Sequence, residues 1–212
     1  NVLSIWTGDQ RTSTDSSNLL GNITAYTDNS SDSCSGFGDN SSSCIKTASE
    51  NYDYRSASVH ITHGPEASAE KGSVFFYNQY DNTTHLYFFY MFGKHGNSGG
   101  GTVKIDIFTV NNASASSDIV DDDSGETDRI SQSESDGLYS SSYTGRYSYN
   151  NCCSDGGVIG PFSGSTYRIF VDIGGTSTVN SNTLGMGNLS SFKYFSKDGS
   201  TVSLGAVDNF TV

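Results

Sequence analysis

Residues 73–92 read SVFFYNQYDNTTHLYFFYMF, and this stretch decides the fold class. Two runs rich in aromatic residues flank a polar tip at Asp81-Asn82-Thr83, which is the pattern of a β-hairpin. The second run, Leu86 to Phe92, is apolar on both of its faces. We therefore expect it to be a central strand, packed on one side by a second sheet and covered on the other by loops or by a neighbouring subunit.

The next strand signal extends from Gly101 to Val110 and has a period of two. Val103, Ile105 and Ile107 share one face, and mostly polar residues share the other. This alternation is typical of a half-buried strand. Together with the hairpin before it, the segment predicts a three-stranded meander.

The rest of the chain also favours strands over helices. Asp198-Gly199 predicts a two-residue hairpin turn, and residues 111–157 must include some strand because a bare loop of that length is improbable in a compact domain. Eight to ten strands and no convincing helix predict an all-β fold, specifically a two-sheet antiparallel sandwich of the immunoglobulin-like or jelly-roll kind. Further strand signals lie at 2–6, 19–27, 57–62, 167–173, 191–196, 201–204 and 206–212.

The chain begins with a short apolar strand on a polar link. The strand is Val2-Leu3-Ser4-Ile5-Trp6, it contains the only Trp, and the polar residues from Thr7 to Asn18 would span roughly 40 Å if extended. Such a strand can pair within its own sheet or dock into a neighbouring molecule by strand addition. We therefore divide the chain into a donor strand with its link, residues 1–18, and a single β-sandwich domain, residues 19–212.

Alternation also predicts which side chains of this first strand face together. Val2, Ser4 and Trp6 should share one face, and Leu3 and Ile5 the other. Either set could fill an apolar groove in a sheet that lacks one strand. Fully burying two or three such side chains contributes roughly 1.5–3 kcal/mol each.

Charge excludes several classes of partner. The net charge is −12, with only 11 Lys and Arg, so the chain lacks the clustered cations that a nucleic-acid backbone requires. Anionic membrane surfaces are disfavoured for the same reason. The longest apolar run, Leu86 to Phe92, is far too short to span a bilayer. We expect no nucleic-acid partner and no membrane span.

Several features predict a secreted protein. The sequence starts at Asn1, without an initiator Met or a leader, as a processed secretory product would. Four Cys in a Ser- and Asn-rich acidic chain fit an oxidising compartment. Two disulfide patterns stay open, because sequence does not fix connectivity. Either Cys152 and Cys153 each join one of Cys34 and Cys44, or Cys34 joins Cys44 beside a rare bridge between the two neighbours.

Asn-x-Ser/Thr triplets also point to the extracellular surface. Each is an acceptor pattern for a covalent N-linked glycan. In a chain this rich in Asn, Ser and Thr, the alternative is that several arose from polar loop composition alone. The seven triplets begin at Asn22, Asn29, Asn40, Asn82, Asn112, Asn188 and Asn209.

No residue set predicts catalysis or a cofactor. The acidic run from Asp118 to Asp128 holds carboxylates of the kind that Ca²⁺ prefers, but it lacks the EF-hand pattern and is better interpreted as a solvated loop. The Cys spacing lacks the pairs typical of zinc sites. There is no Gly-x-Ser-x-Gly elbow and no close pair of strand carboxylates. We expect no enzyme, no cofactor and no metal site.

In layout, the chain resembles bacterial pilins that assemble by donor-strand exchange, in which an N-terminal apolar strand and a polar link precede an immunoglobulin-like body. The resemblance covers the organisation of residues 1–20 and the sandwich after them. It implies a structural subunit of a secreted filament or pilus-like fibre with a role in cell adhesion, a homopolymer whose subunit interface is the strand Val2 to Trp6.

The alternative function is a secreted carbohydrate-binding or adhesive jelly-roll module. The closing residues 207–212, VDNFTV, resemble the last strand of many carbohydrate-binding jelly rolls. Aromatic faces stack on sugar rings, so this alternative requires an outward group of Tyr side chains or a loop stiffened by Ca²⁺. The candidate residues are Tyr139, Tyr143, Tyr147 and Tyr149.

Overall fold

The structure is a computed structural model of the chain. It describes residues 2–7, 15–27, 48, 54–56, 59–60, 71–80, 84–92, 101–110, 115–118, 131–133, 141–149, 155–162, 168–173, 191–205 and 209–212. Most of these residues lie in strands, and helix within them is limited to a 3₁₀ turn at Ser16–Asn18 and to Ala48. The prediction of an all-β fold is confirmed.

The strands are numbered in chain order within the described ranges. They are β1 (Val2–Thr7), β2 (Leu19–Thr24), β3 (Tyr26–Thr27), β4 (Tyr54–Ser56), β5 (Val59–His60), β6 (Lys71–Tyr80), β7 (Thr84–Phe92), β8 (Gly101–Val110), β9 (Ala115–Asp118), β10 (Ser131–Ser133), β11 (Ser141–Tyr149), β12 (Asp155–Phe162), β13 (Arg168–Ile173), β14 (Ser191–Phe195), β15 (Thr201–Gly205) and β16 (Asn209–Thr211).

These strands form two large sheets. The first has the order β10-β11-β8-β13-β16-β1-β2, and the second has the order β15-β14-β6-β7-β12-β9, with β3 also paired to β6. Strands β4 and β5 form a small separate sheet. Most pairs are antiparallel, but β14 and β3 both run parallel to β6, which corrects the expectation of a wholly antiparallel arrangement. In the chain, β3 follows β2 and β14 follows β13, and both preceding strands belong to the first sheet. Neither β3 nor β14 is therefore joined to β6 by a tight turn, which would require antiparallel pairing.

The two large sheets share one apolar core. Residues at alternating positions of the first sheet meet aromatic residues of the second, as expected where each strand turns one face inward. The buried members of the shared core are Ile5, Ile23, Ala25, Val74, Phe76, Leu86, Phe88, Tyr90, Phe92, Val103, Ile105, Ile107, Ile159, Phe162, Ile169, Val171, Ile173, Phe192, Tyr194, Leu204 and Val212. Burial of Val103, Ile105 and Ile107 confirms the period of two predicted for β8.

Strand β7 is buried on both faces, as the sequence predicts. One face contributes to the shared core, and the other belongs to a second cluster with Phe75, Tyr77 and Val158. In that cluster the Phe75 and Phe89 rings stack with centroids 4.7 Å apart. These side chains are already buried in the single chain, and Ala48 belongs to the cluster. The sequence left two possibilities for what covers this face of β7, loops of the same chain or a neighbouring subunit, and the structure therefore favours the same chain.

The predicted meander is wrong in its third strand. Strands β6 and β7 form the expected hairpin, with Tyr80 opposite Thr84. However, β8 lies in the first sheet between β11 and β13, and the second neighbour of β7 is β12. The link between β7 and β8 is long enough to cross from one sheet to the other, whereas a tight turn would have kept β8 beside β7.

The predicted turn between β14 and β15 is present but longer by one residue. The backbone N–H of Ser196 donates to the carbonyl of Ser200 at 3.0 Å, which leaves Lys197, Asp198 and Gly199 in the loop. Gly199 has a φ of +82°, a value that favours glycine. The turn therefore places Gly in the left-handed position of a three-residue hairpin loop.

Candidate interaction site at the N-terminal hairpin

Strand β1 is paired within its own chain. Its residues Val2 to Trp6 pair antiparallel with β2, and Trp6 and Thr7 pair with Thr211 and Phe210 of β16. The alternative left open by the sequence, an ordinary strand inside its own sheet, is therefore the arrangement of the single chain. Among the described strands, β16 reaches β1 at only these two positions, so the pairing with β2 is the more extensive.

The polar link closes a loop between β1 and β2. The Thr7 hydroxyl donates a long hydrogen bond of 3.5 Å to the Asn18 carbonyl, so the two ends of the link meet. Just before β2, the Asp15 carboxylate accepts hydrogen bonds from the backbone N–H and the hydroxyl of Ser17, at 2.9 and 2.8 Å. These hydrogen bonds lower the pKa of Asp15 below its ordinary value. The link thus ends in a defined turn just before β2, while residues 8–14 lie outside the described ranges.

The inner face of this hairpin anchors it to the core. Ile5 is fully buried, and Leu3 is partly buried against the same core. Opposite Ile5 lies Gly21, where a Cβ would come 3.0 Å from a Val202 methyl carbon of β15. Of the two sets predicted for β1, the Leu3 and Ile5 set therefore faces inward. Ile5 is the only residue of β1 that is fully buried.

The outer face of the hairpin carries exposed apolar side chains. Val2 is 71% exposed, Leu19 41% and Leu20 39%, and they are the exposed large apolar residues of the described chain. Between them the Ser4 hydroxyl donates to the Asn22 Oδ1 at 2.8 Å. The register shifts between Ile5 and Trp6, so Leu20 is an extra residue in β2. Val2 therefore lies on one side of the Ser4–Asn22 pair, and Leu19 and Leu20 lie on the other.

The far end of the hairpin joins the second sheet. Thr24 donates its N–H to the Ser196 hydroxyl at 2.9 Å and accepts from the Lys197 N–H at 3.0 Å. Two residues later, Tyr26 is half-buried near Asp198, and burial together with that negative charge raises the pKa of Tyr26. Strand β2, which ends the order of the first sheet next to β1, therefore has contacts at this corner besides its pairing with β1.

Comparison of the chain with models of protein families, with curated proteins and with solved structures finds no match. Its function is therefore argued from its own residues.

Helices contribute no candidate membrane span. Within the described ranges, no helix is long and apolar enough to cross a bilayer.

Most of the other candidate sites predicted from the sequence lie outside the described residues. Both disulfide patterns fall there, as do five of the seven glycosylation triplets. Of the other two, Asn22 is exposed on β2, and Asn209 begins β16, where its backbone pairs opposite Asp172. The residues outside are Cys34, Cys44, Cys152, Cys153, Asn29, Asn40, Asn82, Asn112 and Asn188.

The acidic run is described only at its start. Asp118 ends β9, where it pairs opposite Ile159 of β12, and residues 119–128 lie outside the described ranges. The interpretation of the run as a solvated loop therefore stays a prediction.

Three of the four Tyr candidates for sugar binding lie in β11. Tyr143, Tyr147 and Tyr149 pair opposite Ile107, Val103 and Gly101 of β8. Tyr139 lies outside the described residues. The exposed Tyr surface that sugar binding requires therefore stays a prediction.

Two features of the hairpin were not predicted from the sequence. One is the exposure of Leu19 and Leu20, although two adjacent Leu cannot both face the core of a regular strand. The other is the position of β16 beside β1. That pairing joins opposite ends of the chain, and no local pattern encodes it.

Proposed function

We propose that the protein is a structural subunit of a secreted extracellular filament, in which β1 of one copy takes the place of β1 in the next. One observation carries this proposal. Strand β1 lies between β16 and β2 but is anchored in the core by a single fully buried side chain, that of Ile5. A strand held in this way can leave its slot, and an identical strand from another copy can fill it.

The energy of exchange supports the proposal. Burial of Ile5 contributes roughly 1.5–3 kcal/mol, and a second copy of β1 would restore that burial and the pairing with β2. Exchange of identical elements is consequently a low-cost route to association. If each copy donates to a different neighbour and the contact does not close a ring, the product is an open fibre.

The polar link gives β1 the reach that exchange requires. In the single chain the link folds back so that Thr7 meets Asn18. Extended, the segment from Thr7 to Asn18 spans roughly 40 Å, which is enough to pass from one subunit to another. Exchange then sacrifices the Thr7 hydrogen bond, which at 3.5 Å is weak.

The fold that we propose for the subunit body is a β-sandwich of the jelly-roll kind rather than an immunoglobulin-like one. From β7 onward the chain passes repeatedly between the two large sheets: β7 is in the second sheet, β8 in the first, β9 in the second and β11 in the first. The same alternation continues through β12 and β13. Alternation of this type is typical of double-sheet jelly rolls.

Carbohydrate binding stays the alternative function, because jelly rolls include many lectin domains. The fold alone does not carry that conclusion.

Removal of residues 1–7 separates the two functions. We expect the truncated chain to form no fibres in electron microscopy and to bind a synthetic peptide of residues 1–7, because the slot beside β2 is open. Val2→Ala is the matched control, since Val2 is exposed and its substitution leaves the anchoring residue intact. Fibres formed equally well by the truncated chain would contradict the proposal, and retained sugar binding without fibres from the intact chain would favour the alternative.

A further inference from the structure

Asn22 combines three properties that suit a glycosylation site. It begins the triplet Asn22-Ile23-Thr24, its side chain is exposed, and it lies on the outer face of the β1–β2 hairpin. N-linked glycans attach to Asn side chains at the protein surface.

The hydrogen bond to Ser4 leaves the reactive atom of Asn22 available. The Ser4 hydroxyl donates to Oδ1 of Asn22 at 2.8 Å. A glycan attaches through Nδ2, and the Oδ1 of a glycosylated Asn still accepts a hydrogen bond. The contact between β1 and β2 therefore persists in the modified protein.

We propose that Asn22 carries an N-linked glycan and that this glycan covers the exposed apolar side chains of the hairpin. Ser4 pairs directly opposite Asn22, and Val2 opposite Thr24, so these four residues share the outer face. Val2 is 71% exposed and Leu20, two residues before Asn22, is 39% exposed. A glycan rooted between them lies over both.

The chemistry needs a secretory glycosyltransferase and a sugar donor carried on a lipid diphosphate. Nδ2 of Asn22 forms a bond to the anomeric carbon of the sugar, and the bond between that carbon and the phosphate oxygen breaks. The lipid diphosphate leaves with the electron pair of that bond, and one Nδ2 proton passes to a base of the transferase.

This inference rests on the secretion assumed in the proposed function, but not on filament formation. Exchange of β1 uses the strand edge and the inner side chain Ile5, whereas the glycan occupies the outer face. The glycan therefore covers β1 whether that strand belongs to the same chain or to a neighbour, and face-to-face packing of two hairpins is blocked.

The test uses the full chain secreted from a glycosylating eukaryotic cell, with matched variants at Thr24. Thr24→Ser keeps the acceptor triplet and Thr24→Val removes it, while Asn22→Gln removes the acceptor by a second route if the Val variant folds poorly. Mass spectrometry of the peptide containing residue 22 measures occupancy. Fluorescence of a dye that binds apolar surfaces measures whether Val2 and Leu20 are covered.

The expected result is glycan mass on Asn22 in the natural chain and in Thr24→Ser, and loss of that mass with increased dye fluorescence in Thr24→Val or Asn22→Gln. An unoccupied Asn22 in the secreted natural chain would overturn the inference, as would equal dye fluorescence with and without the glycan. If the dye fluorescence of the unglycosylated natural chain decreased as the protein concentration was raised, a second copy of the chain, and not the glycan, would be what covers Val2 and Leu20. An occupied Asn22 in a chain that forms no fibres would overturn only the proposed function.

Discussion

Substitution of Ile5 by Ala should separate the anchoring of β1 from the stability of the rest of the molecule. Ile5 is fully buried in the core shared by the two sheets, and it is the only such residue in β1. Truncation of a buried Ile to Ala costs about 2–5 kcal/mol, from lost apolar burial and from the cavity that remains. Ile5→Val, which removes one methylene, should cost about 0.5–1.5 kcal/mol.

Chemical denaturation with two optical signals measures this effect. Trp6 is the only Trp in the chain, so its emission reports on β1, while far-ultraviolet circular dichroism reports on both sheets. We expect Ile5→Ala to lower the denaturant midpoint of the Trp6 signal by more than that of the circular dichroism. The reason is that the hydrogen bonds of Thr24 with Ser196 and Lys197 do not involve β1.

The control is Val2→Ala on the same strand. Because Val2 is 71% exposed, its truncation should change the free energy of unfolding by less than about 0.5 kcal/mol. An Ile5→Ala variant as stable as the natural chain would refute the assignment of Ile5 as the anchor. Equal shifts of both signals would refute independent detachment of β1.

Two further predictions concern the body of the fold. Gly72→Ala should lower the free energy of unfolding by about 1–3 kcal/mol, because the added Cβ would overlap the ring of the buried Phe192. Gly21→Ala should cost less, because the nearest neighbour of its Cβ is a methyl group of the partly buried Val202 at 3.0 Å. Comparable losses of stability in the two variants would contradict this packing. Hydrogen bonds from Ser200 lower the pKa of the Asp198 carboxyl, so their contribution is present above the ordinary Asp pKa and is lost as the pH falls through the lowered value. Ser200→Ala removes the hydroxyl hydrogen bond and keeps the one from the backbone N–H, so it should raise that pKa part of the way in a titration followed by nuclear magnetic resonance; an unchanged pKa would show that the Ser200 hydroxyl does not lower it.

The parts of the fold that the sequence predicts well are those with a local signal. The hairpin of β6 and β7 follows from two apolar runs around a polar tip, and the burial of β7 follows from its lack of a polar face. The turn at Asp198-Gly199 follows from the residue types that left-handed backbone requires. Each of these features depends on residues close together in the chain.

Features that depend on distant residues were not predictable in the same way. Strand β12 reads DGGVIGPF, and its three Gly and one Pro hide a strand that pairs with β7 along most of its length. Gly156 is required there because a Cβ would come 2.1 Å from the Tyr90 carbonyl oxygen. The close approach of two backbones selects Gly, although Gly signals a turn when only the sequence is considered.

The candidate site shows the same division. The inward and outward faces of β1 follow from simple alternation, and the structure confirms that Ile5 is buried while Val2 is exposed. Its pairing partners, β2 and β16, depend on the topology of the whole sheet. Sequence therefore predicts which residues of β1 fill a groove, but not which groove they fill.

Disulfide trapping between two variants, each with one Cys added to the four native ones, tests the exchange of β1 most directly. Ser4 and Asn22 lie directly opposite each other in the pairing of β1 with β2, at the short separation that a disulfide requires. Ser4→Cys and Asn22→Cys are made in separate chains, mixed and oxidised, so that a bond between the two positions forms only when β1 of one chain pairs with β2 of the other. We expect peptide mapping of the assembled material to find covalent dimers that contain a disulfide between positions 4 and 22. The control is a chain that carries both substitutions, in which the same disulfide can form within one molecule. If that chain forms the disulfide readily but fibres of the mixed variants lack it, β1 stays in its own chain.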